Sequence, residues 1–364
     1  MNPWHVLCAV AWVLGWVLLF RVPRLRPSGK AAPREDRAIT IIIPARNEAR
    51  RLPHLLGDLA ESRPMDVRVI VVDDHSEDDT AAVARQFDFV EVLSSPDLEG
   101  QWVGKTWACH CGAKAAKPGV LVFLDADVRL RENALDRAIL AWREHRGLLT
   151  VWPYHQVRRP YEHLSALFNV TSLMGLGCGS LLPPKRPRGG FGPLMVTSTE
   201  DYEVAGGHEA VHHSVIDDFA LARRYSDEEL PVVNLGGGDE VSFRMYPHGF
   251  RELVHGWTKN FGTGAKAVAP LRLAGIIVWM TCSIGCLTWV SGVPNGTGEY
   301  LYALFVVQMA VLFRQVGSFT VLDALLYPIH ATFFTLVFAS SLFQTYVLRR
   351  VAWRGRHVRT GGGG

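Results

Sequence analysis

Hydrophobic and polar positions divide the chain into a charged middle and two apolar ends. Near the N-terminus, the run Pro3–Phe20 contains no Asp, Glu, Lys or Arg and is followed by Arg21 and further basic residues. A run of about 18 such residues can cross the hydrocarbon core of a bilayer. The basic flank lies after the run and no small-residue cleavage site follows, so a signal peptide is not indicated. We expect residues 1–22 to form a membrane anchor with its C-terminal side in the cytoplasm.

The C-terminal end holds three more apolar stretches, at Leu271–Val290, Tyr300–Phe313 and Ala324–Leu348. Four crossings in total would place the arginine-rich tail outside the cell, against the positive-inside rule. Asp323 and Pro328 indicate a resolution, in which one segment lies in the interface or re-enters without crossing. Buried core helices are the alternative for every one of these segments.

These patterns predict a protein that is integral to the cell membrane and multi-pass, with a cytoplasmic catalytic domain. The predicted boundaries are an anchor over 1–22, a catalytic domain over 38–266, transmembrane or interfacial helices over 267–350 and a basic tail over 351–364. Residues Pro23–Arg37, rich in Pro, Arg and Lys, read as a linker.

Within the middle, short β-branched runs alternate with segments of helical periodicity. The runs predict strands buried on both faces, at Ala38–Ile43, Val67–Val72 and Val120–Leu124. The periodic segments predict helices at Arg50–Ser62, Thr80–Phe87 and Asn133–Glu144. This alternation indicates an α/β fold with a mostly parallel sheet and helices on both faces.

Polar clusters follow each predicted strand. Pro44–Glu48 follows the first, Asp73 and Asp74 the second, and Asp125 and Asp127 the third. In parallel sheets, ligands bind outside the carboxyl ends of the strands. The aspartates at i and i+2 offer hard oxygen donors that suit Mg²⁺ or Mn²⁺, which would neutralise a diphosphate. A solvated strand end or a helix cap is the alternative for each acid.

Two further segments carry candidate chemistry. Lys105, beside Gly104, could close over a phosphate as a point charge, or could belong to an exposed loop. Asp217 and Asp218 precede an apolar-periodic stretch, where an acid is either a helix cap or a general base. No glycine-rich GxGxxG or GxxxxGK[ST] motif follows the first strand, so neither a dinucleotide fold nor a P-loop is supported.

Composition narrows the possible partners. The 38 basic residues nearly balance the 35 acidic ones, for a formal net charge of +3, so no nucleic acid partner is expected. Cys109 and Cys111 flank His110 without a matching Cys/His pair downstream, which makes a zinc site improbable. The six cysteines read as reduced thiols in a cytosolic compartment.

Taken together, the motifs IIIPARNE, VVDDHSEDDT, GKTWA, LDADV and GWTKN, with the pair of aspartates ending at Asp218, resemble glycosyltransferase family 2. The resemblance runs from about Ile39 to Lys266 and is greatest to the membrane-bound branch that acts on carotenoid acids (the diaponeurosporenoate type), hopanoids or ceramide. It implies a GT-A fold, a nucleotide-sugar donor that is usually UDP-linked, a divalent metal ion and inversion at the anomeric carbon.

The resemblance also implies roles for individual residues. Asp218 matches the catalytic base, Asp127 ligates the metal, and Asp125 faces ribose or metal. The implied donor-binding residues are Pro44, Ala45, Asn47, Glu48, Asp73, Asp74, Lys105, Asp125, Trp257 and Lys259. The implied acceptor-site residues are Gly206, Gly207 and His208.

The sequence departs from the family pattern at two places. The usual ED reads Asp217-Asp218, and the usual QxxRW is replaced by Gly256-Trp257-Thr258-Lys259-Asn260. Trp257 could keep a stacking role, Lys259 or Arg251 would have to counter the leaving diphosphate, and the loss of QxxRW favours transfer of a single sugar.

A lipid acceptor is expected because a soluble one would not need the apolar C-terminal segments. The apolar Tyr161–Leu176 and the basic loop after it could rest on an anionic leaflet, although a core helix with an exposed loop is the alternative. Transfer to a polyprenyl phosphate, and a catalytically silent membrane protein that binds a nucleotide-sugar, are the rival functions. The second rival predicts loss of the metal site or base, yet Asp125, Asp127 and Asp218 are all retained.

Overall fold

The structure is a computed structural model that describes residues 3–25, 38–63, 66–98, 100, 102–131, 133–214, 216–290, 297–344, 350–353 and 356–359. Most of the predicted linker and much of the predicted basic tail lie outside the described residues. The chain forms two compact units. The sheet unit comprises Pro23–Tyr154 and Lys185–Phe243, and the helical unit comprises Met1–Val22, His155–Pro184 and Arg244–Gly364.

A seven-stranded sheet forms the centre of the sheet unit, with the strand order β3-β2-β1-β4-β8-β6-β9. Its strands are β1 (Ala38–Ala45), β2 (Val67–Asp73), β3 (Val90–Ser94), β4 (Gly119–Leu124), β6 (Leu148–Trp152), β8 (Leu194–Ser198) and β9 (Val232–Gly236). The pairs β1–β2, β1–β4, β2–β3 and β6–β9 are parallel, whereas β8 runs antiparallel to both β4 and β6. The predicted α/β sheet is therefore confirmed as a mixed sheet.

Three shorter strands lie outside the seven-stranded sheet. They are β5 (Val128–Leu130), β7 (Tyr154–His155) and β10 (Val241–Phe243), and β5 pairs antiparallel with β10.

Helices cover both faces of the sheet. Alternate residues of each strand point to opposite sides, and because both sets are apolar here, both faces pack against helices. On one face, Ile41 and Ile43 pack in a core that includes Trp142, and on the other Ile42 packs with Phe123. This arrangement explains why the strands read as continuous apolar runs. The helices are α2 (Leu52–Ser62), α3 (Thr80–Ala84), α4 (Gly104–Ala115), α5 (Ala134–His145), α7 (Thr199–Val204) and α8 (Asp217–Asp227).

The helical unit consists mainly of apolar helices. These are α1 (Pro3–Leu18), α6 (Ala166–Leu176), α9 (Phe250–Ala267), α10 (Pro270–Val290), α11 (Thr297–Val316), α12 (Val321–Leu325) and α13 (Tyr327–Phe343), with a hairpin of β11 (Arg350–Trp353) and β12 (Arg356–Arg359). Leu167, Phe168 and Leu173 of α6 are fully buried. The core-helix alternative is thus confirmed for this segment, and a helix resting on the leaflet was the wrong interpretation.

The prediction of several membrane crossings is supported only in part. Among the described residues, one helix, Gly298–Val316, is long and apolar enough to cross a bilayer. Three shorter apolar helices accompany it, namely Pro3–Leu18, Pro270–Gly285 and Tyr327–Phe343. A multi-pass arrangement is therefore not supported by the residues that the structure describes.

Two separate helices, α12 and α13, contain Asp323 and Pro328, and the interfacial or re-entrant segment expected there stays a prediction. Thr320 and Asp323 form a capping box at the start of α12, and α13 begins at Tyr327 with Pro328 in its first turn. The Asp323 carboxylate also contacts His163, with a separation of 2.8 Å between Nδ1 and Oδ1. The acid and the proline thus divide the last apolar stretch into two helices.

Candidate active site

The carboxyl ends of β1, β2 and β4 lie at one edge of the sheet, and polar side chains follow each of them. Ala45 and Asp73 are paired in register at the ends of β1 and β2. Asp74 continues this contact, since its backbone N–H donates to the Ala45 carbonyl at 2.8 Å. Asp125 comes one residue after β4, the strand that pairs with the other side of β1. The topology therefore brings the predicted acids to a common edge.

The loops after β1 and β2 are tied together by hydrogen bonds. Asn47 donates its backbone N–H to Ser76 Oγ at 3.0 Å, and its side-chain oxygen accepts from the Glu77 backbone N–H at 2.8 Å. The Glu48 backbone N–H donates to Thr80 Oγ1 at 2.8 Å. Asn47 adopts a left-handed φ of 55°, a conformation that asparagine tolerates better than most residues. Asn47 and Glu48 thus fix the shape of a double loop beside Pro44 and Ala45.

Asp74 is almost fully buried within this double loop. It is 2% exposed, its Oδ2 lies 3.6 Å from an Arg46 guanidinium nitrogen, and Ser95 Oγ donates weakly to its Oδ1 at 3.4 Å. Oδ2 itself has no hydrogen-bond partner within the described residues. A buried carboxylate oxygen of this kind can accept a hydrogen bond from a ligand N–H.

Lys105 links the strand-end acids to helix α4. Its Nζ lies 2.7 Å from Asp125 Oδ1. Burial alone would lower the pKa of Lys105, but the carboxylates of Asp125, Asp217 and Asp218 raise it well above the ordinary value. The start of α4 is anchored next to the same acids, because the Val103 backbone N–H donates to the His212 carbonyl at 2.9 Å. Lys105 is therefore a charged cation between the two acidic motifs.

Asp125 and Asp127 form a carboxylate pair that lacks sufficient counter-charge. Burial raises the pKa of Asp127 to about 6, and the charges of Asp125 and Glu48 add to this effect. Arg51 and Lys105 lower the same pKa and only partly offset it. A divalent cation would relieve this repulsion, and carboxylate oxygens are the donors that Mg²⁺ and Mn²⁺ prefer. The donor set of Asp125 and Asp127 therefore fits such an ion.

Asp217 and Asp218 lie in the first turn of α8, where the helix dipole favours negative charge. Asp218 accepts two backbone hydrogen bonds, from Gly192 to Oδ2 at 2.8 Å and from Phe219 to Oδ1 at 2.9 Å. Burial and then the adjacent Asp217 nevertheless raise the pKa of Asp218 to about 7, although Lys105 opposes this. A carboxylate with a pKa near neutrality is matched to the work of a general base.

The helical unit contains the two predicted donor-binding residues of the GWTKN segment. Trp257 is 1% exposed, stacks on Phe168 with ring centroids 4.7 Å apart, and donates from Nε1 to Ser165 Oγ at 3.1 Å. Every face of this indole is occupied by the protein core, so Trp257 has no free face for stacking on a ligand. Lys259 lies half-buried on the same helix, α9.

Gly206, Gly207 and His208 follow α7. The two glycines line a pocket of about 210 Å³ together with His110, Lys114 and Tyr202. His208 is fully buried and therefore offers no surface to an acceptor. A direct acceptor contact by this side chain, as the resemblance implied, does not fit the structure.

Sequence reasoning missed several residues that complete the site. The Gly192 amide that binds Asp218 comes from a distant loop, and Tyr202 binds His208 through its hydroxyl. Cys109 lies with its thiol near His208 and Asp217. A short-range motif carries no signal for any of these three, because each contact depends on the folded chain.

The sheet and its acidic edge define a class of enzyme. Among solved structures, the chain is similar to a mannosyltransferase, PcManGT, from Pyrobaculum calidifontis, determined in complex with GDP-Man and Mn²⁺. The TM-score is 0.55 with 14% sequence identity, and the match covers 94% of this chain and 99% of that chain. At this identity the similarity shows the fold, which is of the GT-A type.

The sequence comparisons identify the family. A model of glycosyl transferase family 2 matches residues 40–182. The 4,4'-diaponeurosporenoate glycosyltransferase of Staphylococcus aureus strain MRSA252 is 38% identical over 331 residues, which is 88% of this chain and 88% of that protein. The protein of strain USA300 is 38% identical over 330 residues with the same coverage. The chain therefore belongs to glycosyltransferase family 2 and is a glycosyltransferase.

Proposed function

We propose that this enzyme transfers a single sugar from a UDP-linked donor to a membrane lipid, with a divalent metal ion and with inversion at the anomeric carbon. The observation that carries the proposal is the cluster of Lys105, Asp125, Asp127 and Asp218, whose charges interact. The cluster combines an acid pair suited to a divalent metal ion with a carboxylate whose pKa is about 7. A metal-bound diphosphate and a general base are the two requirements of this reaction.

The donor is expected along the carboxyl edge of the sheet. Asp74 or Asp73 would accept a hydrogen bond from the uracil N–H, in a pocket shaped by Pro44, Ala45, Asn47 and Glu48. Asp127, with Asp125, would hold Mg²⁺ or Mn²⁺, which supplies positive charge to the diphosphate. Lys105 would contribute a fixed positive charge beside the same diphosphate. The solved mannosyltransferase of the same fold holds GDP-Man and Mn²⁺, which supports this arrangement.

The transfer would proceed as one displacement. An acceptor O–H attacks the anomeric carbon, the new C–O bond forms as the bond to the diphosphate breaks, and UDP leaves with the electron pair. Asp218 takes the proton of the attacking oxygen. Inversion follows because only one displacement occurs. If the acceptor is a carboxylate, which has no such proton, the base matters less.

A lipid acceptor is supported by two independent features. The relatives are named for a carotenoid acid, diaponeurosporenoate. Among its described residues, the helical unit contains one helix that is long and apolar enough to cross a bilayer and three shorter apolar helices. We propose an integral membrane protein whose catalytic sheet unit is cytoplasmic. A polyprenyl phosphate is less well supported as the acceptor, because it would need a dense basic pocket, whereas Arg186 of the basic loop is 63% exposed.

The test uses the full-length enzyme in membranes with UDP-sugars and extracted lipid. Asp127→Ala and Asp218→Asn are each expected to abolish transfer, whereas only Asp127→Ala weakens metal-dependent UDP binding. Asp79→Ala serves as a matched control, because Asp79 makes no side-chain cap bond at the start of α3. Normal turnover in either active-site variant would reject the role assigned to that residue.

A further inference from the structure

The turn before α8 contains a histidine without a role in the proposed chemistry. His208 is fully buried between the rings of Phe123, 4.8 Å away, and Tyr202, 5.7 Å away. It is shielded from solvent, so it can affect the reaction only through its neighbours. Those neighbours are Tyr202 on one side of the ring and Asp217 on the other.

Tyr202 determines which ring nitrogen carries hydrogen. The His208 backbone N–H donates to Tyr202 Oη at 2.9 Å, so this oxygen already accepts one hydrogen bond. Tyr202 Oη lies 2.8 Å from His208 Nδ1, and donating its hydroxyl hydrogen there satisfies both groups. The imidazole then carries its own hydrogen on Nε2. Burial lowers the pKa of His208 to about 4, which keeps the ring neutral at working pH.

The Nε2–H group faces Asp217. His208 Nε2 and Asp217 Oδ2 are 3.9 Å apart, both are buried, and neither has another hydrogen-bond partner among the residues that the structure describes. The separation is too long for a hydrogen bond in this state. Catalytic hydrogen bonds are often long before the substrate binds and shorten in the complex. A buried donor and a buried acceptor that face each other are therefore arranged to meet.

We propose that His208 is a positioning residue for the general base: its Nε2–H stabilises the negative charge of Asp217, so that the proton taken from the acceptor goes to Asp218. This inference rests on the proposed function and deepens it. Asp217 and Asp218 are adjacent in the first turn of α8, and the Nε2–H of His208 is directed at Asp217 alone. His208 thereby keeps Asp218 as the member of the pair that exchanges protons.

The contact between Tyr202 and His208 also explains why the two residues before His208 are glycines. Gly206 and Gly207 adopt left-handed φ values of 80° and 54°. A Cβ at Gly207 would lie 2.5 Å from the Tyr202 ring. Any larger residue would separate Tyr202 from His208, so the glycine pair serves to seat the histidine against the tyrosine.

Other charged and titratable groups also face the pair of aspartates. Lys105 and Cys109 approach Asp217 from α4, and Asp125 approaches from the end of β4. These groups stay in place when His208 is changed, so a variant at His208 isolates its own contribution.

The test compares His208→Phe with His208→Gln in the full-length enzyme in membranes. Phenylalanine keeps the packing on Phe123 and removes the donor, whereas the glutamine amide can direct an N–H at Asp217. We expect His208→Phe to lower kcat about 10- to 100-fold with the donor KM changed less than about 2-fold, and to raise the pH of half-maximal activity by about half a unit to one unit. His208→Gln should recover most of the loss. His213→Phe, at an exposed neighbour, should be without effect.

Several outcomes decide the question. Equal losses in both His208 variants with an unmoved pH profile would show a structural role only, and wild-type turnover in His208→Phe would reject any role. If His208→Phe fails to bind UDP or to fold, Tyr202→Phe is measured in its place. The proposal then requires that Tyr202→Phe lowers kcat and shifts the pH of half-maximal activity in the same way. One zinc ion per chain, lost in His208→Phe, would overturn the proposal in favour of a metal site at Cys109, His208 and Asp217.

Failure of the inference and failure of the proposed function give different results. An enzyme that transfers no sugar, or an Asp218→Asn variant with full turnover, contradicts the proposed function whatever His208 does. Loss of turnover in Asp218→Asn with normal turnover in His208→Phe rejects the positioning role alone.

Discussion

Neighbouring carboxylates at residues 217 and 218 differ in what surrounds them. Asp217 is 6% exposed and faces a neutral imidazole, whereas Asp218 is half-buried and accepts amide hydrogen bonds from Gly192 and Phe219. Burial next to a charged neighbour dominates over those amide bonds, which is why the pKa of Asp218 is raised to about 7. The local pattern showed an acidic pair at a helix start without distinguishing the two acids, and only the family resemblance pointed to Asp218 as the base.

The raised pKa of Asp218 predicts the pH dependence of transfer. A general base acts when ionised, and the ionised fraction of Asp218 grows as the pH rises through about 7. Below that value, kcat should therefore fall about tenfold per pH unit. Initial rates at saturating donor, measured between about pH 5.5 and pH 9, check this expectation. A rate that stays constant or increases toward acid pH would contradict the assignment, and Asp218→Asn, expected to be inactive, serves as the control.

The glycine that replaces the family's usual arginine has a packing reason. A Cβ at Gly256 would lie 2.0 Å from Cε1 of Tyr246, whereas a Cβ at Gly264, on the same helix α9, would meet nothing within 4 Å. We expect Gly256→Ala to destabilise the protein by about 1–3 kcal/mol through overpacking. Gly264→Ala should instead stabilise it by up to about 1 kcal/mol through helix propensity. Thermal unfolding of both variants in one detergent tests this, and equal midpoints would contradict it.

At the level of elements, the loops after β1 and β2 form one hydrogen-bonded unit around the proposed donor site. Asp78 contributes by accepting from the backbone N–H groups of Thr80, at 3.1 Å, and Ala49, at 3.2 Å. These bonds lower the pKa of Asp78, against the effect of its burial. Part of the acidic run that follows β2 therefore maintains the loop structure.

This double loop predicts the effect of changing Asn47. Asn47→Ala removes the hydrogen bond from the Glu77 backbone amide to the Asn47 side chain and places alanine at a left-handed φ. The donor KM should therefore rise about 5- to 10-fold, because a lost hydrogen bond costs about 1 kcal/mol. Asn47→Gly tolerates the φ and should show a smaller increase. Glu77→Ala is the control, because it keeps the amide that Asn47 binds. Steady-state kinetics with varied donor measure all three, and equal KM values would refute the structural role.

The parallel half of the sheet could be predicted from sequence, and the rest could not. β1, β2 and β4 are continuous apolar runs buried on both faces, a pattern that is visible locally. β8 is only five residues long and runs antiparallel between β4 and β6, an arrangement fixed by long-range pairing. Trp257 was misread for a related reason, since its partner Ser165 is 92 residues away in sequence and no motif indicates a core position.

For the whole molecule, the exposed apolar side chains support the proposed membrane location. Exposed apolar side chains occur on several helices of the helical unit, including Leu271 at 88% exposure and Leu336 at 65%. Polar solvent does not favour such exposure on this many neighbouring helices, whereas a bilayer does. Among the described residues, one of the predicted apolar segments is long and apolar enough to cross a bilayer.

In the integral membrane protein proposed above, helix length indicates which segment inserts. At 1.5 Å per residue, Gly298–Val316 is about 28 Å long, close to the hydrocarbon thickness of about 30 Å, whereas Pro3–Leu18 is about 24 Å long. Val307 and Val311 on this long helix are 58% and 42% exposed. Replacing both with Asp would place two charges in the hydrocarbon region, at about 2.5–3.5 kcal/mol each. We expect the V307D/V311D variant to be released from membranes by alkaline carbonate, while the wild type remains in the pellet. Leu182→Asp, at 71% exposure outside the helices, should remain there too, and retention of the double variant would mean that other helices hold the protein in the bilayer.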